Sequence, residues 1–540
     1  MRMYSLIVKN GTIIDGTGSP RYQKDIAIRG EEIVKIQKNL NDPGNVRTLD
    51  ATGLVVTPGF IDMHSHSDFS LIIDRDVKSA LYQGVTTEVI GNCGMSCYPV
   101  GPEKGKLLES YVVGIGYDRS LPLNWVDFEG YAKELEQSGL GINVISLVGH
   151  GTIRIAVMGF DARQATRQEQ EAMRHLLRNA LDQGAFGMSS GLVYPPGINS
   201  PTEELENLCK IVAHEDGIYS THLRGDSLRA GPTLVESLGE AIDVAKNTGV
   251  YLEVSHIAPK FPNTGTSHRV LEMMEEARRK GINVTCDVHP YLAAMTFLVS
   301  LMPPWVFEGG TKETIRRLSS KEERSRISRE LRLQFGHLDW EDFWARNEPV
   351  LEDQNSNFKG KRFTEIAKMV GKDPAEACLD ILLNEGEDLF KVAVLQWIYS
   401  EEDTLKTFLW PYTMIGADGA SSSTECKIES LTNHPRSWGT FPKVIRQFCK
   451  ENNQIQLEQA IHKMTGLPAS SLRLRDRGII TEGFKADLVV FDFDRIRAKA
   501  TYTNPRQYSD GIEYVLVNGG VVIEKGHPTG MRLGKVLRKK

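Results

Sequence analysis

Cysteine is scarce in this 540-residue chain: seven residues, at positions 93, 97, 209, 286, 378, 426 and 449, odd in number and widely spaced. That excludes a disulfide scaffold, fits a reducing cytoplasm and leaves thiols free to bind metal. No stretch reaches the roughly 20 apolar residues of a membrane-spanning helix. The opening Met1–Asn10 holds too short an apolar run for a signal peptide. Basic charge is not in excess either, since 64 Lys and Arg stand against 70 Asp and Glu for a net charge of −6. A nucleic-acid partner and a polybasic membrane anchor are thereby excluded. The chain contains no internal repeat and no low-complexity segment.

What is present is ordinary for a globular enzyme, with 40% hydrophobic and 25% charged residues, in a chain too long for one small core. Residues 1–56 alternate in short apolar bursts (Leu6-Ile-Val, Thr12-Ile-Ile, Ile26-Ala-Ile, Ile33-Val-Lys-Ile) separated by turn residues. Residues 475–540 repeat the pattern in Ala486-Asp-Leu-Val-Val-Phe, Val515-Leu-Val and Val521-Val-Ile. Neither piece is long enough for its own core, so the two are expected to form one small β-sandwich domain. Residues 57–474 lie between them as a second unit.

This central segment alternates short β-branched runs with helical stretches. Eight runs qualify as strands: Val55–Met63, Val85–Ile90, Asn143–Val148, Ala185–Ser189, Ile218–His222, Tyr251–His256, Asn283–Asp287 and Thr413–Asp418. Eight strands alternating with helices predict an α/β chain with a TIM-like (β/α)8 barrel, whose chemistry sits at the C-terminal strand ends. A charge-rich stretch, about residues 303–365, breaks the rhythm after strand seven and reads as an inserted helical lid.

Several of the runs end in metal-capable side chains. His64-Ser-His66 closes the first; residues i and i+2 of a strand face the same side, so both imidazoles can reach one ion. Such a pair alone is common in purely structural settings. Cys93 follows the second run between Gly91 and Gly94, which let the backbone turn and expose the thiolate. His222 and His256 end the fifth and sixth. A thiolate and two imidazoles are three corners of a tetrahedral zinc site, which a water completes. Asp418, before Gly419, ends the eighth run, where a carboxylate can take a proton from water and return it to a leaving nitrogen. His150 reads as mouth-lining or backbone-bound, and His434 as near the mouth with no assigned role.

Stretches that include Thr57-Pro-Gly-Phe-Ile-Asp-Met-His-Ser-His, Gly91-Asn-Cys-Gly, Ser189-Ser-Gly-Leu-Val-Tyr194-Pro-Pro-Gly, Met414-Ile-Gly-Ala-Asp-Gly and His434-Pro-Arg-Ser-Trp-Gly-Thr-Phe-Pro span nearly the whole chain. They resemble the D-aminoacylase (N-acyl-D-amino-acid deacylase) family of the amidohydrolase superfamily. The resemblance implies that Cys93, His222 and His256 hold a tight zinc. It assigns a second, weaker metal position to His64, His66 and Asp418, with Asp418 the catalytic acid/base. It also implies a strand-two cysteine in place of the strand-four lysine of other superfamily members, and Ala185-Phe-Gly-Met-Ser-Ser has no lysine. Tyr194 matches a residue that helps hold the substrate carboxylate. Ala258 stands where many members have a lysine, with Lys260 two residues further on, and His289 and Met295 replace a tyrosine and a serine expected to touch substrate.

The reaction expected is zinc-dependent hydrolysis of an N-acyl-D-amino acid, a small molecule whose carboxylate is held by Tyr194 with Arg224 or Lys260. A cyclic amide of the hydantoin or dihydropyrimidine type, or a dipeptide with a D-residue, is the alternative substrate. A non-catalytic ligand-binding barrel predicts the loss of a ligand or of the acid/base, and all six key residues are present. Oligomeric state leaves no mark in the sequence.

Overall fold

The computed structural model describes residues 4–41, 46–118, 121–351, 357–426 and 431–540. Both ends of the chain meet in a two-sheet sandwich. One sheet has four strands, from Leu6–Lys9, Asp25–Arg29, Glu32–Gln37 and Arg47–Asp50. The other has seven and draws on both termini: Thr12–Ile13, Tyr22–Gln23 and Val55–Pro58 join Leu488–Phe491, Ile512–Val517, Gly520–Glu524 and His527–Pro528.

Strand periodicity explains why this second sheet is apolar on consecutive residues. Successive side chains of a strand point to opposite faces. Leu488 and Val490 pack with Leu6, Val8, Ile26 and Ile28 of the first sheet, whereas Val489 and Phe491 pack into the large core of the rest of the chain. With both faces covered, no position in that strand is left for a polar residue.

Eight parallel strand positions follow in chain order: Phe60–Asp62, Val85–Ile90, Asn143–Ser146 continued by Val148–Gly149, Gly187–Gly191, Ile218–His222, Tyr251–Val254, Val284–Val288 and Thr413–Ile415. The third is interrupted at Leu147, yet hydrogen bonds bridge the break, from Phe186 N to Ser146 O at 3.0 Å and from Leu147 N to Ile90 O at 2.9 Å. Strand eight returns to strand one through Met63 N to Ile415 O at 3.2 Å and Asp418 N to His64 O at 2.7 Å. The strands thus form a (β/α)8 barrel, with helices such as Arg167–Asp182, Thr202–His214, Leu234–Thr248 and Ser267–Arg279 as crossovers. Among the described residues, no helix is long and apolar enough to cross a membrane, and no disulfide joins the cysteines.

Two expectations need correction. The run Val55–Met63 is not one strand: it breaks at Gly59, with Val55–Pro58 in the sandwich and Phe60–Asp62 in the barrel. A Cβ at Gly59 would stand 2.1 Å from Thr86 Oγ1, so only glycine lets the chain pass there. The insertion after strand seven also extends past both ends of 303–365. It opens with the strand Ala293–Phe297 and closes with Ala393–Trp397, which pair antiparallel with each other, and Asn347–Val350 pairs on the other edge of Ala393–Trp397. Residues 352–356 of this stretch lie outside the described residues.

Phe60 anchors strand one, fully buried and stacked on Phe441 with ring centroids 5.7 Å apart. Phe60→Ala is expected to destabilise the protein by about 3–5 kcal/mol, the usual cost of truncating a buried aromatic. A lowered denaturation midpoint would report it.

Candidate active site

The six residues expected to carry the chemistry converge at the C-terminal end of the barrel. Cys93 is the centre, its Sγ 3.2 Å from His64 Nε2, 3.5 Å from His256 Nε2 and 3.7 Å from His222 Nδ1. Asp418 Oδ1 lies 3.2 Å from His66 Nε2 and 3.6 Å from His64 Nε2. The donor atoms form two groups sharing the sulfur: His64, His66, Cys93 and Asp418, then Cys93, His222 and His256, with all donors of each group within 4.8 Å of one another.

Local backbone geometry aims these side chains. Cys93, His256 and Asp418 have φ of 52°, 36° and 53°, in the left-handed region where L-residues are strained. Each lies just past a strand end, so the twist turns its side chain toward the others. Gly91 permits the turn before Cys93: its φ is 77°, and a Cβ there would meet Leu147 O at 2.1 Å.

The donor set fits a metal ion. Burial pulls His64 and His66 down to about 4 and His222 well below its ordinary value, leaving neutral imidazoles with a free lone pair. His64 Nδ1 is 3.1 Å from Asp287 Oδ2 and His222 Nε2 is 3.3 Å from Asp226 O. Those contacts fix the protons on the outer nitrogens and point the lone pairs inward. His256 Nδ1 stands 3.3 Å from Asp226 Oδ2. Among the described residues His66 Nδ1 has no partner, so its ring is held less firmly. Sulfur with imidazole nitrogen is a set that zinc accepts.

Asp418 is held by a residue that the sequence analysis passed over. Arg436, 1% exposed, places Nη1 2.6 Å from Asp418 Oδ2, and its Nη2 donates to Met295 O at 3.2 Å. Burial disfavours the Asp418 carboxylate, but Arg436 and the nearby imidazoles outweigh it and hold the group well below the usual carboxylate range. The signal for Arg436 was its place in the stretch that begins at His434, where only the histidine drew notice. His434 itself bonds backbone, with Nε2 3.1 Å from Ala293 O. His150 pairs with Glu204 at 2.8 Å beside Arg154.

The residues expected to meet substrate divide. Tyr194, Lys260 and Met295 line the cavity over the site. Tyr194 Oη lies 2.9 Å from Thr296 Oγ1, with its ring edge-on to His222. Lys260 Nζ is 2.6 Å from Asp226 Oδ2, a second acid that the sequence analysis missed. Arg224 does not reach the cavity. Its guanidinium faces Glu240 at 3.1 Å and donates to Ile198 O and Ser200 O, each at 2.9 Å, which leaves no fork for a substrate carboxylate. His289 is buried behind the cavity wall, its Nδ1 accepting from Tyr291 N at 3.3 Å and its ring edge-on to Tyr399.

A parallel barrel with sulfur, imidazole and carboxylate donors at its strand ends is the build of a metal-assisted hydrolase. The chain belongs to the amidohydrolase family, whose sequence profile matches residues 47–217 and 416–523. It is 33% identical to the N-acyl-D-aspartate deacylase of Alcaligenes xylosoxydans xylosoxydans, over 98% of this chain and 94% of that one. It is 31% identical to the D-aminoacylase of the same organism, over 99% and 98% of the two chains. Among solved structures it resembles the N-acyl-D-glutamate deacylase of Bordetella bronchiseptica, with a TM-score of 0.80 and 30% identity over 99% of each chain. That structure holds zinc and a phosphonate inhibitor that mimics the reaction's tetrahedral intermediate.

Asp226 is the hinge of the imidazole side of the site. Asp226→Ala leaves the Lys260 ammonium buried and unpaired, at an expected cost of about 3–5 kcal/mol. Chemical denaturation of the variant beside the parent protein measures it.

Proposed function

We propose that this protein is a zinc-dependent deacylase that hydrolyses N-acyl-D-amino acids to a carboxylate and the free D-amino acid. One observation carries the reading: two donor groups share Cys93, with an ionised Asp418 at their edge, in a chain that matches deacylases along its whole length. Cys93, His222 and His256 would hold the tight zinc, and His64, His66 and Asp418 a weaker position that shares the thiolate. The chemistry zinc supplies when bound is Lewis-acid polarisation of the amide carbonyl and acidification of water.

The chain's own residues do the rest. Asp418 starts each cycle ionised because Arg436 neutralises Oδ2, so Oδ1, on the side of the imidazoles, can accept a proton from the attacking water. The same carboxyl then hands that proton to the departing nitrogen, which leaves as the amine of the amino acid. Asp287 keeps the His64 ring, and the Asp226 carbonyl the His222 ring, in one tautomer and one orientation through the cycle. Tyr194 stands over His222 at the cavity wall, where its hydroxyl can bond the bound substrate.

Asp418→Asn should retain zinc while kcat falls about 10²–10⁴-fold, the usual worth of a general acid–base. Cys93→Ala should lose the metal. Elemental analysis and ninhydrin release from paired N-acetyl-D- and N-acetyl-L-amino acids measure both. Near-parental turnover by a zinc-loaded Asp418→Asn enzyme would overturn the mechanism, and release from the L-series alone would overturn the substrate assignment.

A further inference from the structure

The charges on the cavity wall do not balance. Three cations line it, Arg229, Lys260 and Arg436, against two carboxylates, Asp226 and Asp418. Lys260 has Asp226 at 2.6 Å and Arg436 has Asp418 at 2.6 Å. Among the described residues no carboxylate lies within ion-pair distance of Arg229.

Arg229 is nevertheless held in place. It follows barrel strand five, and its Nη2 donates to two carbonyls of the insertion, Ser300 O and, at 2.7 Å, Met302 O. Among the described residues, its Nε and Nη1 hydrogens meet no acceptor. The same cavity wall holds Leu228, Phe297, Leu301 and Phe335, all buried, beside the polar Ser227 and Ser300. Burial pulls its guanidinium down to about 10, still charged at neutral pH. Arg229 is half-buried, and a fixed cation there without a counter-ion is a place that an anionic ligand would complete. Zinc with the Cys93 thiolate carries net positive charge, so the metal centre cannot be that counter-ion.

Resting on the deacylase reading, we propose that Arg229 is a specificity residue that receives a carboxylate of the substrate, in the role expected of Arg224. The guanidinium is the natural partner for such a group, and the apolar side chains of the wall strengthen the pair. The carboxylate is either the one on the α-carbon or one on an acidic side chain, and the test separates the two.

Non-hydrolysable sulfonamides serve as probes by calorimetry on the zinc-loaded enzyme. N-methanesulfonyl-D-leucine against its carboxamide reads the α-carboxylate, and N-methanesulfonyl-D-glutamate against the D-glutamine analogue reads a side-chain carboxylate. The parent enzyme should bind the acid of at least one pair about 10- to 100-fold more tightly than the amide, the worth of a charge-assisted hydrogen bond. Arg229→Met should abolish that preference for the same pair, and Arg229→Lys should keep part of it; the lysine variant carries the test if the methionine variant does not fold. An undiminished preference in these variants, or none in the parent enzyme, overturns the proposal. Should the preference behave as expected while no N-acyl-D-amino acid is hydrolysed, the carboxylate site stands and the deacylase reading falls.

Discussion

Asp418 N donates to His64 O and His66 N donates to Gly419 O, both at 2.7 Å. These two hydrogen bonds tie the end of barrel strand eight to the end of strand one. They also set Asp418 Oδ1 3.2 Å from His66 Nε2. Barrel closure and assembly of the site are therefore one event: a strand eight slipped by one residue would turn Asp418 away from the imidazoles. The chain runs some 350 residues between the two ends, so the site depends on a highly non-local contact.

Behind the rings lies a layer of buried acids that an apolar core would not contain. Asp287 reaches His64 Nδ1 at 3.1 Å and accepts from His256 N at 3.0 Å. Asp62 accepts from His64 N at 3.1 Å and from Ala417 N at 2.9 Å. Glu88 takes hydroxyls from Ser65 and Ser421, and Glu253 takes that of Ser220 at 2.6 Å. Burial pushes Asp62, Glu88, Glu253 and Asp287 upward, Asp287 to about 6. Buried carboxylates destabilise a core unless hydrogen bonds satisfy them. Here serine hydroxyls bond Glu88 and Glu253, while Asp287 bonds His64 and His256 and Asp62 bonds the amides of His64 and Ala417, which restrains the strained turns at His256 and Asp418.

The metal-capable residues were legible because residue type and strand end coincide at each of them. His64, His66, Cys93, His222, His256 and Asp418 all lie where a parallel barrel exposes side chains, and that rule depends on chain order alone. Side-chain direction does not. Arg224 and Asp226 lie two and four residues past His222, and nothing in the run of residues says that Arg224 turns to Glu240 while Asp226 turns inward. Arg436 lies 18 residues beyond Asp418, and its role depends on where the helix Arg436–Lys443 packs. The insertion was read short because Ala293–Phe297 and Ala393–Trp397 find their partners a hundred residues away, beyond any local pattern.

The same contrast separates chemistry from recognition in the folded protein. The donors come from the barrel, whose strands pin one another in register. The cavity wall comes largely from elsewhere, since Met295, Phe297, Leu301, Phe335 and Gln396 belong to the insertion and Leu228 and Arg229 to the loop after strand five. Among the described residues, the side chains of Phe297, Leu301, Phe335, Leu228 and Arg229 make no hydrogen bond or ion pair to a donor. A substitution among the donors or their buried acids removes a group that several strand ends share, because Cys93 meets three rings and Asp226 serves two rings and a lysine. Substrate preference can therefore shift within this fold while the donors that carry amide hydrolysis stay in place.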